Sequence, residues 1–448
     1  MERNVFDTNR LIPTYFRQSL PVVLSSLVTV IYNLVDTFFI ARTNNASLVA
    51  GVSICGPVFI ILMAFGNIYG QGASSLISRL LGKSDFDSVG RISAFSFYIA
   101  IVTGLVLAVP MLLLRLPVLR LLGSSGDTLP YARQYYTILT LGAPVVILTF
   151  IHSNLLRCEG LPGLSMFGSV GGAVINIILD PIFISALGWG AAGAAAATVL
   201  GYIFSDAFYL IIVLRRSRYL SVNPRRWGIK GKEFSQILGI GITAAISNLA
   251  SSVCMIFMNQ FLLNYGDEKI AALGIVGKIN MFVTMILVGF SFGGMPLFGY
   301  LCGAGEREKM KKLLRFCLRF LGGLSLLLTV GLFLAAPNLM RVFMDAETIV
   351  ADGSAMLRWQ VAGAVFASVV MLLTCVFQAS GKAAPALALS LSRQGVVFLA
   401  VFAVAVWIAQ YQGFLAAQAV ADLLSAILAM ALYFHIFERR KAAAGEEL

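Results

Sequence analysis

Apolar residues run along this chain in long blocks, separated by short polar or Gly/Pro breaks. Twelve such blocks can be drawn, at 13–41, 48–78, 92–114, 131–155, 163–187, 190–214, 235–264, 269–302, 313–336, 352–378, 384–408 and 412–436. At about 1.5 Å per helical residue, each is long enough to cross a hydrocarbon layer of about 30 Å. The pattern predicts an all-α polytopic membrane protein with twelve transmembrane helices, numbered below as spans 1 to 12.

Composition agrees. Hydrophobic residues make up 59% of the chain and charged residues 12%, and mean hydropathy is +0.88; a soluble domain carries about 45–50% apolar and about 25% charged residues. The net charge of +12 raises the question of nucleic acid. Its placement answers it, because the basic residues lie in short segments between blocks, as loops facing anionic lipid do. With both termini in the cytoplasm, the inner side takes 25 of the 33 Lys and Arg, among them Arg3, Arg10, Arg79, Lys83, Arg91, Arg439, Arg440, Lys441 and the clusters at 215–232 and 307–319. That bias predicts a multi-pass protein of the cell inner membrane with N- and C-termini inside. Met1 to Arg10 lead straight into span 1 without a small-residue cleavage site, so no removable signal peptide is expected. Six scattered cysteines form no CxxC or disulfide pattern and read as small core residues.

A shift of 221 residues superimposes Gly56 on Gly277, Gly72 on Gly293, Gly82 on Gly303 and Gly160 on Gly381. Several matches at one offset indicate an internal repeat. Because six is even, equivalent helices run the same way, so two six-helix lobes are expected as parallel repeats around a central cavity. The expected boundaries are an N-lobe at 1–214, a basic cytoplasmic linker at 215–233 and a C-lobe at 234–448.

Little in the blocks is polar enough for chemistry. In span 5, Asn176 and Asp180 lie four residues apart and so share a helical face. A carboxylate at bilayer depth costs roughly 2.5–3.5 kcal/mol, which marks it as a functional candidate. Counted from the outer ends of the blocks, Asp36 in span 1, Asp180, and Thr198 in span 6 all lie roughly 9–12 Å deep, with Asn176 one turn deeper. Two carboxylates, a carboxamide and a hydroxyl suit a small hard cation; alternatively, two close carboxylates in a low dielectric can retain a proton near neutral pH. Helix-to-helix hydrogen bonding is the plainer role for such residues, but two buried carboxylates are costly for packing alone. Pro181 and Pro21 free the carbonyls of Ile177 and Arg17, adding possible ligands and places to bend. Candidates for lining a substrate cavity are Gln71, Asn67, Lys278, Met258, Met281 and Met285, the methionines as part of an adaptable apolar wall. Asp206 and Asp422 hold roughly corresponding places in the two halves, where cavity lining and interhelical pairing are both open.

Enzyme signatures are missing. His152 and His435 are the only histidines and neither has a metal-site partner at helical spacing; no GxxxxGK[ST] is present. The chain is therefore expected not to be an enzyme, to need no cofactor, and to draw on an ion gradient.

The runs Leu156-Arg157-Cys158-Glu159-Gly160-Leu161-Pro162, Asn176-Ile177-Ile178-Leu179-Asp180-Pro181-Ile182-Phe183 and Gly190 through Thr198 resemble the multidrug and toxic compound extrusion (MATE) family, especially its DinF-type and MepA-like bacterial branch. Val35-Asp36-Thr37-Phe38-Phe39-Ile40 and Ser392-Arg393-Gln394 add to the likeness, which covers essentially the whole chain. The resemblance implies a secondary antiporter that exports organic cations and amphipathic drugs in exchange for Na⁺ or H⁺ by alternating access between lobes. By the same likeness Asp36, Asn176, Asp180 and Thr198 match the N-lobe cation site of that branch. Other branches carry acidic residues in spans 7 and 10; here span 7 has none, so coupling is expected to rest on the N-lobe. A monomer in the lipid bilayer is expected, with small-molecule substrates and no nucleic-acid partner. The alternative is a flippase for lipid-linked precursors of related two-lobe architecture; it would line its cavity with several basic residues, whereas Lys278 is the one firm candidate.

Overall fold

The computed structural model describes residues 5–43, 45–124, 126–343 and 346–438; Arg3, Arg439, Arg440 and Lys441, counted above on the inner side, lie outside the described residues. Helix accounts for 88% of the structure, with no strand among the described residues.

Span 1 is one helix, Leu11–Ala41, which continues through Pro21. Span 2 is broken into Ala46–Ile54 and Gly56–Gly82, span 4 into Leu129–Leu141 and Ala143–Cys158, and span 8 into Asp267–Gly293 and Met295–Gly303. At each of these breaks a proline, Pro57, Pro144 or Pro296, opens the second helix. There its missing N–H goes unneeded, whereas further in its ring would collide with a carbonyl of the preceding turn. Span 4 bends by 53° at its break, and span 10 by 42° between Glu347–Ala362 and Ala364–Ala379, where Gly363 supplies the joint. Spans 3, 6, 7 and 9 are the helices Phe86–Leu113, Gly190–Arg215, Gly231–Leu262 and Arg307–Phe343.

By length and apolar character, nine stretches among the described residues qualify as membrane spans, or eleven when each bent pair counts as one. The last stretch, Ala383–Phe437, is 55 residues long. Its backbone leaves the helical region at Gln410 (φ 47°, ψ −120°). A Cβ placed on Gly413 would strike the backbone of Ala405, although eight residues of unbroken helix would hold the two about 12 Å apart. The chain therefore doubles back there, and spans 11 and 12 are separate crossings.

The chain divides into two compact units, Met1–Asp7 with Phe16–Gly241 and Thr8–Tyr15 with Ile242–Leu448. In the first, the basic stretch after Arg215 is tied down rather than free. Glu159 accepts from the backbone N–H groups of Arg218 (2.6 Å) and Tyr219 (2.8 Å). Tyr98 donates to the Val222 carbonyl (2.9 Å) and its ring stacks on Trp227. Arg91 grips Glu233 with two bonds of 2.7 and 2.9 Å. In the second unit, Leu262, Ala272, Val276, Met340, Leu357 and Phe398 form part of a continuous apolar core, and Tyr15 donates to the Phe290 carbonyl (2.8 Å).

Candidate cation site

Small residues set the site. Spans 5 and 6 meet backbone to backbone: a Cβ on Gly201 would lie 2.6 Å from the Gly172 carbonyl, and one on Gly168 would enter the Tyr209 ring. No larger residue allows that approach, which is what brings Asn176 of span 5 against Thr198 of span 6. Oriented so that both ends of its amide are satisfied, Asn176 donates from Nδ2 to Asp180 Oδ2 (3.1 Å) and accepts at Oδ1 from the Thr198 backbone N–H (3.0 Å). These residues are sealed from solvent, with relative exposures of 1% for Asn176, 0% for Asp180 and 4% for Thr198.

Asp180 is the last residue of the α-helix Pro162–Asp180, and Pro181 opens a π-helical turn, Pro181–Ala186. Pro181 has no N–H for the next rung, and the turn closes instead with Leu187 donating to the Ile182 carbonyl (2.8 Å). Such turns leave backbone carbonyls unspent and recur at functional sites. Span 1 supplies Asp36, whose carboxyl interacts directly with that of Asp180. Asp36 Oδ1 is buried and has no hydrogen-bond partner. Three tyrosines complete the surround. Tyr32 and Tyr135 both bring their hydroxyls within interaction range of Thr198, and Tyr202 lies one turn along span 6 from it. The structure thus brings Asp36, Asn176, Asp180 and Thr198 into one cluster, from spans 1, 5 and 6 of the first unit. Sequence reasoning passed over the tyrosines, although Tyr32 precedes Asp36 by four residues and Tyr202 follows Thr198 by four, each on a shared face.

The cluster offers two carboxylates, a carboxamide and hydroxyls. One buried carboxylate oxygen lacks any donor, so a hard cation or a proton would fit the set: a cation would gain oxygen ligands, and a proton would join the facing carboxyls.

The remaining candidates are dispersed. Asn67 and Gln71 in the first unit are half-buried, and Gln71 Oε1 is buried without a partner. In the second unit Lys278, Met281 and Met285, at spacings of three and four, share the open face of Asp267–Gly293. Met258 packs against the apolar core. Asp422 is paired: Arg393 Nε donates to it (3.0 Å), as does Gln418 (3.2 Å). Asp352 accepts from Lys269 (2.6 Å) and Tyr411 (3.2 Å). Each of these acids already has a cation of the protein itself. Asp206 faces His152, with Oδ1 and Nδ1 3.7 Å apart.

The profile of the MatE family matches residues 21–182 and again residues 243–404. This chain belongs to the MATE family. A shift of 221 residues carries position 21 to 242, one residue from where the second match begins, so the glycine repeat and the family match describe the same duplication. Among similar proteins is the multidrug export protein MepA of Staphylococcus haemolyticus (strain JCSC1435), 30% identical over 434 residues, 97% of this chain and 96% of that one. MepA of Staphylococcus aureus (strain N315) is 28% identical over the same length and coverage. Solved structures with the same fold include a MATE protein in the bent conformation (TM-score 0.91, 24% identical, covering 98% of each chain). Another is a multidrug resistance MATE family transporter of the MOP superfamily in an outward-facing conformation (TM-score 0.89, 23% identical, covering 96% and 97%). As a MATE protein, the chain is a multi-pass membrane transporter with two repeated six-helix lobes.

Proposed function

We propose that this MATE protein is a secondary multidrug exporter. It expels organic cations and amphipathic drugs in exchange for Na⁺ or H⁺, by alternating access, as a monomer of the cell inner membrane with both termini inside. Residues 1–214 and 234–448 act as its two lobes, joined by the basic segment 215–233. The coupling ion binds at Asp36, Asn176, Asp180 and Thr198; Gln71, Asn67, Lys278, Met258, Met281 and Met285 meet the drug.

One observation carries this reading. Two carboxyls from different spans face each other in a buried cluster, and the partnerless Asp36 Oδ1 awaits a positive partner. A bare carboxylate in the membrane costs roughly 2.5–3.5 kcal/mol, so occupancy by Na⁺ or a proton changes the energetics of span 1 against spans 5 and 6. Two points of give lie nearby: Pro21, whose absent N–H leaves the Arg17 carbonyl free, and the π-helical turn after Asp180. The relatives named multidrug export proteins support the choice of cargo.

The deciding experiment is ethidium export by cells producing Asp180→Asn at wild-type levels. Loss of export is expected, and undiminished export would remove the carboxyl pair from the mechanism.

A further inference from the structure

His152 and Asp206 form a second buried acid–base pair in the first unit, apart from the cluster around Asp180. His152 is 2% exposed and Asp206 9%. Nδ1 and Nε2 of His152 and both carboxylate oxygens of Asp206 lack a hydrogen-bond partner. Their closest approach of 3.7 Å is just too long for a hydrogen bond. Four orphaned polar atoms in one spot are expensive, at about 1–3 kcal/mol each. A proton shared between Nδ1 and Oδ1 would convert two of the four into a charge-assisted bond, after a movement of less than an ångström.

The surroundings leave few other partners. The nearby Thr149 hydroxyl donates to the Val145 carbonyl (3.0 Å) and also lies within reach of Asp206, so among the described residues it is the one neutral group shared with the pair. Span 3 brings the Phe97 ring to 5.4 Å from the imidazole. Span 2 meets span 4 here through Gly66 and Gly70, which carry no charge. Span 6 adds Tyr209, whose ring lies 6.5 Å from the imidazole and whose hydroxyl donates to the Ser165 carbonyl of span 5 (2.8 Å). Span 4 adds Arg157, which acts on Tyr209 and is held by Ser153 and Ser165.

Position gives the pair a role. Thr198, Tyr202 and Asp206 follow one another at intervals of four residues, so they share one face of span 6. Asp206 therefore lies about 12 Å from Thr198, toward the Arg215 end. Tyr202 lies in the interval on that face, with its ring 6.4 Å from Phe150 of span 4.

We propose that His152 and Asp206 are a second proton-binding site, linked by this polar face of span 6 to the Asp36–Asp180 cluster. In its coupling role the proposal rests on the reading of that cluster given above; the binding of a proton by the pair does not. The proton joins His152 Nδ1 to give an imidazolium beside the Asp206 carboxylate, and leaves by the same two atoms.

The chain has two histidines, and His435 is exposed, so full-length His435→Gln with ¹⁵N-labelled histidine reports His152 alone. On acidification the His152 signals should pass from those of the neutral ring to those of the imidazolium. Asp206→Asn should displace the midpoint by about one pH unit or more. An imidazole that keeps one protonation state throughout, or a midpoint unmoved by Asp206→Asn, would overturn the proposal. The second readout is the pH profile of ethidium transport in proteoliposomes with His152→Gln and, separately, Asp206→Asn. A merely structural pair would lower yield or melting temperature and leave the profile's shape unchanged; the proposal expects the profile to lose one of its limbs. If Asp180→Asn stops export while both profiles match wild type, the relay fails and the outer site stands. If Asp180→Asn is harmless, the outer site fails whatever the His152 signals do.

Discussion

Asp36 and Asp180 face each other, yet their surroundings treat them unequally. Asp180 accepts from Asn176 at 3.1 Å, whereas Asp36 keeps Oδ1 buried with no donor. If both carboxyls hold one coupling ion, removing either breaks the same device. Asp36→Asn and Asp180→Asn should each reduce ethidium export at least about tenfold, or about 1.4 kcal/mol. The double variant should be no worse than about twofold beyond either single change, because residues acting as a unit are not additive. Losses that multiply would point to two independent roles.

Thr198 offers a hydroxyl to the same cluster and to Tyr32 and Tyr135. A sodium ion uses neutral oxygens as ligands, while a proton needs only the carboxyls. Thr198→Val keeps shape and removes the hydroxyl. Export driven by an imposed Na⁺ gradient should fall about fivefold, on the order of 1 kcal/mol for one lost ligand or hydrogen bond. Export driven by a pH gradient should change less than about twofold. Equal loss under both gradients would assign Thr198 to packing alone.

The cluster's acidic members were visible in the sequence because a carboxylate within an apolar block has few innocent explanations. Asp36, Asn176 and Asp180 stand out against valine, isoleucine and leucine on either side. Tyr32, Tyr135 and Tyr202 do not, since tyrosine is common in membrane helices and its ring hides one polar atom on an apolar body. The crossings were legible from block length, but their breaks were only partly so. Pro57, Pro144 and Pro296 mark three of them, whereas the bend at Gly363 carries no proline, and the reversal at Gln410 lies in a nearly unbroken apolar run. The His, Lys and Arg partners of Asp206, Asp352 and Asp422 come from 54, 83 and 29 residues away respectively. Such distances carry no local periodicity, so only the packed structure pairs them.

Glycine packing between spans 5 and 6 is a separate lever on the site. A Cβ on Gly172 would meet Ser205 Oγ and the Gly201 carbonyl, whereas one on Gly163 of the same helix meets nothing within 4 Å. Gly172→Ala should therefore force the helices apart and destabilise the protein by about 1–3 kcal/mol. It should also reduce export, by widening the gap between Asn176 and Thr198. Gly163→Ala should be neutral or slightly stabilising. Melting temperatures of the two variants in detergent, measured side by side, check the contrast; similar melting would remove the close approach as a determinant.

In the second unit Asp422 is 2% exposed and its carboxylate is held by Arg393 at 3.0 Å. Breaking a buried pair by removing one partner strands the other charge, at a cost of about 3–5 kcal/mol, while replacing both with apolar residues can be close to neutral. Arg393→Met and Asp422→Leu should each sharply lower the yield of folded protein in the membrane, and the double variant should recover most of it. Export separates structure from coupling here. If the pair only fastens spans 11 and 12, the recovered double variant exports ethidium near the wild-type rate. A folded but inactive double variant would mean that the second unit's buried charges take part in transport, and that Asp36 and Asp180 do not carry the coupling alone.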